Sequence, residues 1–353
     1  MMFKRPRPHL VSPLVLSAVA LCLLTVATAC GPEGDDADQP DQLSSWFDEP
    51  AQELPQQLSG FGLFPSPDNL DQVPDGALYY EPAYPLWSNG SSKYRHVVLP
   101  DGASIDTSAA TWQFPTGTLI FKTFAYATGS SEAGSPLTPV ETRVLRRLED
   151  RWEYAVYLWN ESGQDATQLD LLRPVDVPVT MADGTSFVHE VPNKLQCRSC
   201  HEAGADLVLG INARQFSDGP ESQVADWHEK GYVSTLPQAP APLEGDELTR
   251  WVKGYALGNC VHCHNDGDAA NSSYSLYPED FVANTVNQPT EGNASVAGTR
   301  VVPGEPEESV LYLAVRGDED NQELKAMPPE GVQVRDDEAL AQIRAWIESL
   351  EGI

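Results

Sequence analysis

Cys260-Val-His-Cys263-His264 follows directly on Asp246-Glu-Leu-Thr-Arg-Trp-Val-Lys-Gly-Tyr-Ala-Leu-Gly-Asn259, and this stretch decides how the C-terminal part of the chain is read. Asp246 is a good N-cap, and Leu248, Trp251, Val252 and Tyr255 recur at helical spacing. The run therefore predicts a helix to about Leu257 that leads straight into the cysteine pair. The pentapeptide itself is C-x-x-C-H. Two thiols one helical turn apart can add to the two vinyl groups of one porphyrin edge, and the histidine behind the second thiol is then held under the iron as its axial ligand. A second copy, Cys197-Arg-Ser-Cys200-His201, lies upstream. Two copies predict two covalently attached haem c groups. Cys197, Cys200, Cys260 and Cys263 would be the thioether donors, with His201 and His264 as iron ligands.

Cysteine usage agrees with this reading. Six cysteines are present, and the two outside the motifs, Cys22 and Cys30, fall in the N-terminal leader. None is left for a disulfide framework. A zinc ribbon would pair two C-x-x-C units across roughly 15–20 residues, whereas 59 residues separate Cys200 from Cys260. A redox-active dithiol would sit beside a βαβ pattern, and none is visible.

The leader has the parts of an export signal. Lys4, Arg5 and Arg7 precede an apolar run from Leu10 to Val26, followed by Ala27-Thr28-Ala29. Cys30 comes next, and Ala-Thr-Ala-Cys resembles a bacterial lipobox with Ala27 in place of the usual leucine. Lipidation of Cys30 is the expectation, with plain cleavage near Ala29 as the alternative. The apolar run is only marginally long enough to span a bilayer core of ~30 Å. Gly31 after the cysteine favours the outer membrane by analogy with lipoprotein sorting. The composition is strongly acidic: 52 acids against 22 bases give a net charge of −30, which also serves plain solubility. Such a chain repels nucleic acid and anionic membrane surfaces, and it suits redox partner proteins with basic docking patches.

Further along, residues 30–58 are rich in Asp, Glu, Gln and Pro, and read as a disordered acidic tether, with folding from near Gly60. Residues 59–195 have the pattern of strands. Leu119 to Tyr126 is β-rich, and Val140 to Leu148 and Trp152 to Trp159 read as a hairpin. Trp152, Tyr154, Val156 and Leu158 alternate with Tyr157 and Trp159, so both faces of that strand are expected to be covered. Residues 196–243 carry the first motif and a helix around Ser222 to Gly231. Residues 244–353 are helical and close on an apolar stripe of Leu340, Ile343, Ile347 and Leu350.

Met327, in Ala-Met327-Pro328-Pro329, is the candidate distal ligand opposite His264, its loop stiffened by prolines. The sixth ligand of the first haem is left open among His96, His189, His228, Met181 or none. His262, inside the second motif, would point away from the iron bound there.

Residues 244–353 resemble a bacterial class I cytochrome c domain through Asn259 to His264, Val302-Pro303-Gly304-Glu-Pro306, Ala326-Met327-Pro328-Pro329 and Ile343-Arg-Ala-Trp346-Ile347. More broadly, Gly60 onward is similar to a family of exported dihaem c-type cytochromes of unassigned role. The matching stretches are Pro85-Leu-Trp-Ser-Asn89, Phe114 to Phe124, Glu141-Thr-Arg143 and Val191 to Cys197. The resemblance implies an α+β multidomain protein, with an N-terminal mainly β domain followed by an α-helical cytochrome c domain. It also implies electron transfer rather than catalysis. A haem enzyme of peroxidase or oxidase type, or a haem sensor with an open first iron, is the alternative. Dihaem peroxidases differ in layout, with their first motif near the mature N-terminus and a longer segment between motifs.

Overall fold

The computed structural model describes residues 53–64, 69–128, 137–169, 173–217, 223–265, 267, 273–290, 296–317 and 324–352. The leader, Cys30 and most of the acidic segment lie outside the described residues. Every described residue falls in one compact unit.

A six-stranded antiparallel meander forms from β1 (Ala77–Tyr79), β2 (Ser92–Val98), β3 (Leu119–Ala127), β4 (Leu137–Arg147), β5 (Trp152–Trp159) and β6 (Ala166–Gln168), in that spatial order. A separate hairpin pairs β7 (Val175–Thr180) with β8 (Ser186–Val191). Its turn is set by Asp183, which accepts the Thr185 N–H, and by Gly184, whose φ of 90° favours glycine. The helices are α1 (Lys194–His201), α2 (Ala213–Ser217), α3 (Gln223–Glu229), α4 (Glu247–Asn259), α5 (Phe281–Thr285), α6 (Val310–Arg316) and α7 (Asp337–Ser349). The architecture is mixed α+β. Among the described residues, no helix is long and apolar enough to cross a membrane.

Alternation along the strands gives the sheet two buried faces, as the aromatic pattern of β5 predicts. On one face Val97, Ile120, Leu145, Tyr154 and Val156 pack with Cys197, Val208, Ile211, Phe216 and Trp227. On the other, Phe121, Val144, Tyr157 and Trp159 pack with Leu54, Leu58, Phe61 and Leu63. Phe61 sets its ring edge-on to Phe121 at 5.1 Å and to Tyr157 at 5.8 Å. Packing therefore begins upstream of Gly60. Residues 53–58, expected as tether, are anchored by buried Leu54 and Leu58 and by Tyr157, which donates its hydroxyl to Pro55 O at 2.8 Å. Two leucines at helical spacing outweigh the polar composition around them.

In the C-terminal region α4 packs against α7, burying Val252 and Ala256 with Ile343, Trp346 and Ile347. Asp246 caps α4 by accepting the Thr249 N–H at 2.8 Å. Gly254 and Gly258, one turn apart on α4, let segment 84–87 approach. A Cβ on Gly258 would meet Tyr84 O at 2.6 Å, and one on Gly254 would meet the Tyr84 ring at 2.3 Å. The same segment is clasped by hydrogen bonds. Trp87 donates its backbone N–H to Asn259 Oδ1 and its indole N–H to Val334 O, both at 2.7 Å. Asn89 Oδ1 accepts the N–H groups of Gln333 and Val334 at 2.7 and 2.8 Å.

Candidate functional site

The first motif lies on α1, and the local sequence starts that helix firmly. Asn193 accepts the N–H groups of Leu195 and Gln196, and Gln196 reaches back to the Asn193 N–H, closing a capping box. Cys197, Cys200 and His201 then share one side of the helix at i, i+3 and i+4 spacing. His201 Nδ1 lies 2.8 Å from Leu207 O. A backbone carbonyl at Nδ1 fixes the tautomer and leaves Nε2 to act as ligand.

The second motif begins where α4 ends. Cys260 is the C-cap residue, and the N–H groups of Cys263 and His264 both donate to Cys260 O, at 3.0 and 2.9 Å. Asn265 Nδ2 reinforces the turn by donating to Val261 O at 3.0 Å. The His264 ring sits 4.7 Å from Tyr274, and its buried Nδ1 makes no hydrogen bond of normal geometry among the described residues. None of the four motif cysteines forms a disulfide.

The fold brings the two motifs together. Ligand atoms of Cys200, His262 and Cys263 all lie within 4.8 Å of one another. Beside them a cavity of about 750 Å³ opens between the sheet and the helices, lined by Cys197, Cys200 and His201 on one side and by Val261 and His262 on another. That volume is in the range of about 300–1,000 Å³ usual for small-molecule and cofactor sites. An unbridged thiol pair, an imidazole oriented through Nδ1 and a cavity of this size are a fit for covalently bound haem at the first motif. At the second, the fit rests on the donor set, two unbridged thiols and a buried, neutral imidazole.

Electrostatics favour ligation. Burial pulls His201, His262 and His264 down to about 4, so all three are neutral at pH 7 and able to bind metal. Burial pushes the Cys260 thiol up to about 12 and raises Cys197 too, whereas Cys200 is lowered by its hydrogen bond with Cys263.

The sequence candidates for a sixth ligand fare differently. His96 and Phe64 meet edge to face, with Phe64 packed on the far face of the sheet. His189 uses both ring nitrogens, one on Tyr126 and one on Glu141. His228 is exposed on α3, and Met181 packs with Tyr126 and Val140. None of the four lines the cavity, whereas His262 does. Its ring lies beside Cys263 of its own motif and Cys200 of the other, a placement that local spacing does not encode. Met327 lies ahead of α7, its N–H bonded to Ala314 O at 2.9 Å and its side chain 37% exposed.

Comparison with known proteins gives no match to a protein-family model, to a curated protein or to a solved structure. The functional reading therefore rests on the residues themselves.

Proposed function

We propose that this chain is an exported dihaem c-type cytochrome whose C-terminal part is a cytochrome c domain, passing single electrons outside the cytoplasmic membrane. The observation that carries the reading is the meeting of Cys200 and Cys263 across two C-x-x-C-H motifs. Thioether bonds from these sulfurs would bring two porphyrin edges side by side, the arrangement that transfer between them requires. Haem iron supplies the one-electron chemistry. The chain's own residues do the rest. Cys197 and Cys200 would hold one group and Cys260 and Cys263 the other. His201, oriented by Leu207 O, and His264 would bind iron from one side, and Met327 is proposed opposite His264. The packing of α4 against α7 is compatible with the cytochrome c assignment. The charge of −30 suits redox partners with basic docking patches. Lipid attachment at Cys30 would tether the protein to a membrane, and palmitate labelling lost in Cys30→Ser tests that part.

A second reading draws on the same cluster. Cys200, His262 and Cys263 could supply two sulfurs and one nitrogen to a single ion such as zinc. Intact mass and a pyridine haemochrome spectrum separate the two. Two haems added covalently to the polypeptide support the cytochrome. A colourless protein of bare polypeptide mass refutes it, and stoichiometric zinc in that protein would establish the second reading.

A further inference from the structure

Three basic residues stand in a row on the cavity face of the sheet. Arg95 on β2 is directly opposite Lys122 on β3, which is directly opposite Arg143 on β4. All three line the cavity that contains Cys197 and His201. Like charges opposite one another on adjacent strands destabilise a sheet, and burial adds to the cost. Arg95 is only 5% exposed. The chain carries an excess of thirty acids, yet little of it is spent here. Glu141 takes Arg143 in a bidentate pair at 2.6 and 3.0 Å and is itself shared with His189. The cavity's own acids, Asp206 and Glu279, form no ion pair with Arg95 or Lys122. Among the described residues neither of these side chains has a carboxylate within ion-pair distance. Arg95 is thus left facing an interior space without a carboxylate. Lys122 beside it is held well below its ordinary pKa by burial and by Arg95 and Arg143, so that an anion placed there would favour its charged form.

We propose that Arg95 and Lys122, backed by Arg143, form an oxyanion-binding wall that takes carboxylate-type groups inside this cavity. The inference deepens the haem reading, and two sources could supply the anion. The propionates of a haem attached at Cys197 and Cys200 carry two carboxylates, which would face the side chains of Arg95 and Lys122. Alternatively, a diffusible small oxyanion enters and is held beside the first motif.

The test uses the purified protein as isolated, with Lys122→Gln, Arg95→Gln and the charge-conserving Lys122→Arg. Resonance Raman spectroscopy reads the propionate bending band, and calorimetry reads binding of acetate. If propionates occupy the wall, Lys122→Gln and Arg95→Gln shift the bending band and lower the midpoint potential of one haem, Lys122→Arg largely restores both, and wild type binds no acetate. If the anion is diffusible, wild type binds acetate and each glutamine variant weakens it at least tenfold, with the bending band unmoved. The inference is overturned when neither variant moves the band nor changes acetate binding. A protein without haem would refute the proposed function, while the acetate arm would still decide whether the wall binds anions.

Discussion

Replacing Glu141 with glutamine tests the electrostatics of the sheet's inner wall. The carboxylate is fully buried, accepts two hydrogen bonds from Arg143 and lies 2.9 Å from His189 Nε2. Burial by itself pushes its pKa up. Arg143 and His189 outweigh that and bring it down to about 2, against an ordinary 4.5. At about 1.4 kcal/mol per pH unit, the gap corresponds to ~3 kcal/mol of stability. A second route gives a similar size, since removing one partner of a buried ion pair costs ~3–5 kcal/mol. The sign follows from the direction. A carboxyl held low contributes fully above its unfolded value of 4.5, and the contribution drains away as pH falls toward 2. Glu141→Gln should lose ~3 kcal/mol at pH 7 in urea unfolding followed by tryptophan fluorescence. The gap between wild type and variant should narrow below pH 4.5. A gap under ~1 kcal/mol at pH 7, or one constant down to pH 3, would refute the reasoning.

Gly258→Ala forces a methyl group against the carbonyls of Tyr84 and Pro85, and thermal unfolding should register a loss of ~1–3 kcal/mol. Met327→Ala should lower the potential of one haem and leave the other alone, because Met/His ligation raises the potential; a redox titration identical to wild type would remove Met327 from the ligand set. Asn89→Ala strips the acceptor from the Gln333 and Val334 N–H groups at a cost of ~1–3 kcal/mol, visible as faster hydrogen exchange at those two amides.

Much of the local structure was legible because it is written in short-range patterns. Asp246 and the stripe from Leu248 to Tyr255 announce α4, and the alternation from Trp152 to Trp159 announces a strand covered on both sides. The Asn193 to Gln196 capping box is equally readable in the sequence. What stayed hidden depends on register and on long-range contact. Arg95, Lys122 and Arg143 look like three unrelated surface charges until strand pairing aligns them. The approach of Cys200 to His262 and Cys263 is a tertiary fact that no local spacing encodes. His189 was a reasonable ligand candidate by residue type. Its engagement by Tyr126 and Glu141 emerges only when β4 meets β8 in space.

The clasp made by Trp87 and Asn89 has a consequence for how the protein can be divided. The backbone at 333 and 334, just past Met327, is gripped from the β side, and so is Asn259 at the threshold of the second pentapeptide. Severing the chain ahead of Glu244 would therefore deprive the excised piece of supports beside both the second C-x-x-C-H motif and the segment after Met327. The two halves are better regarded as co-dependent than as modules that evolution could shuffle freely.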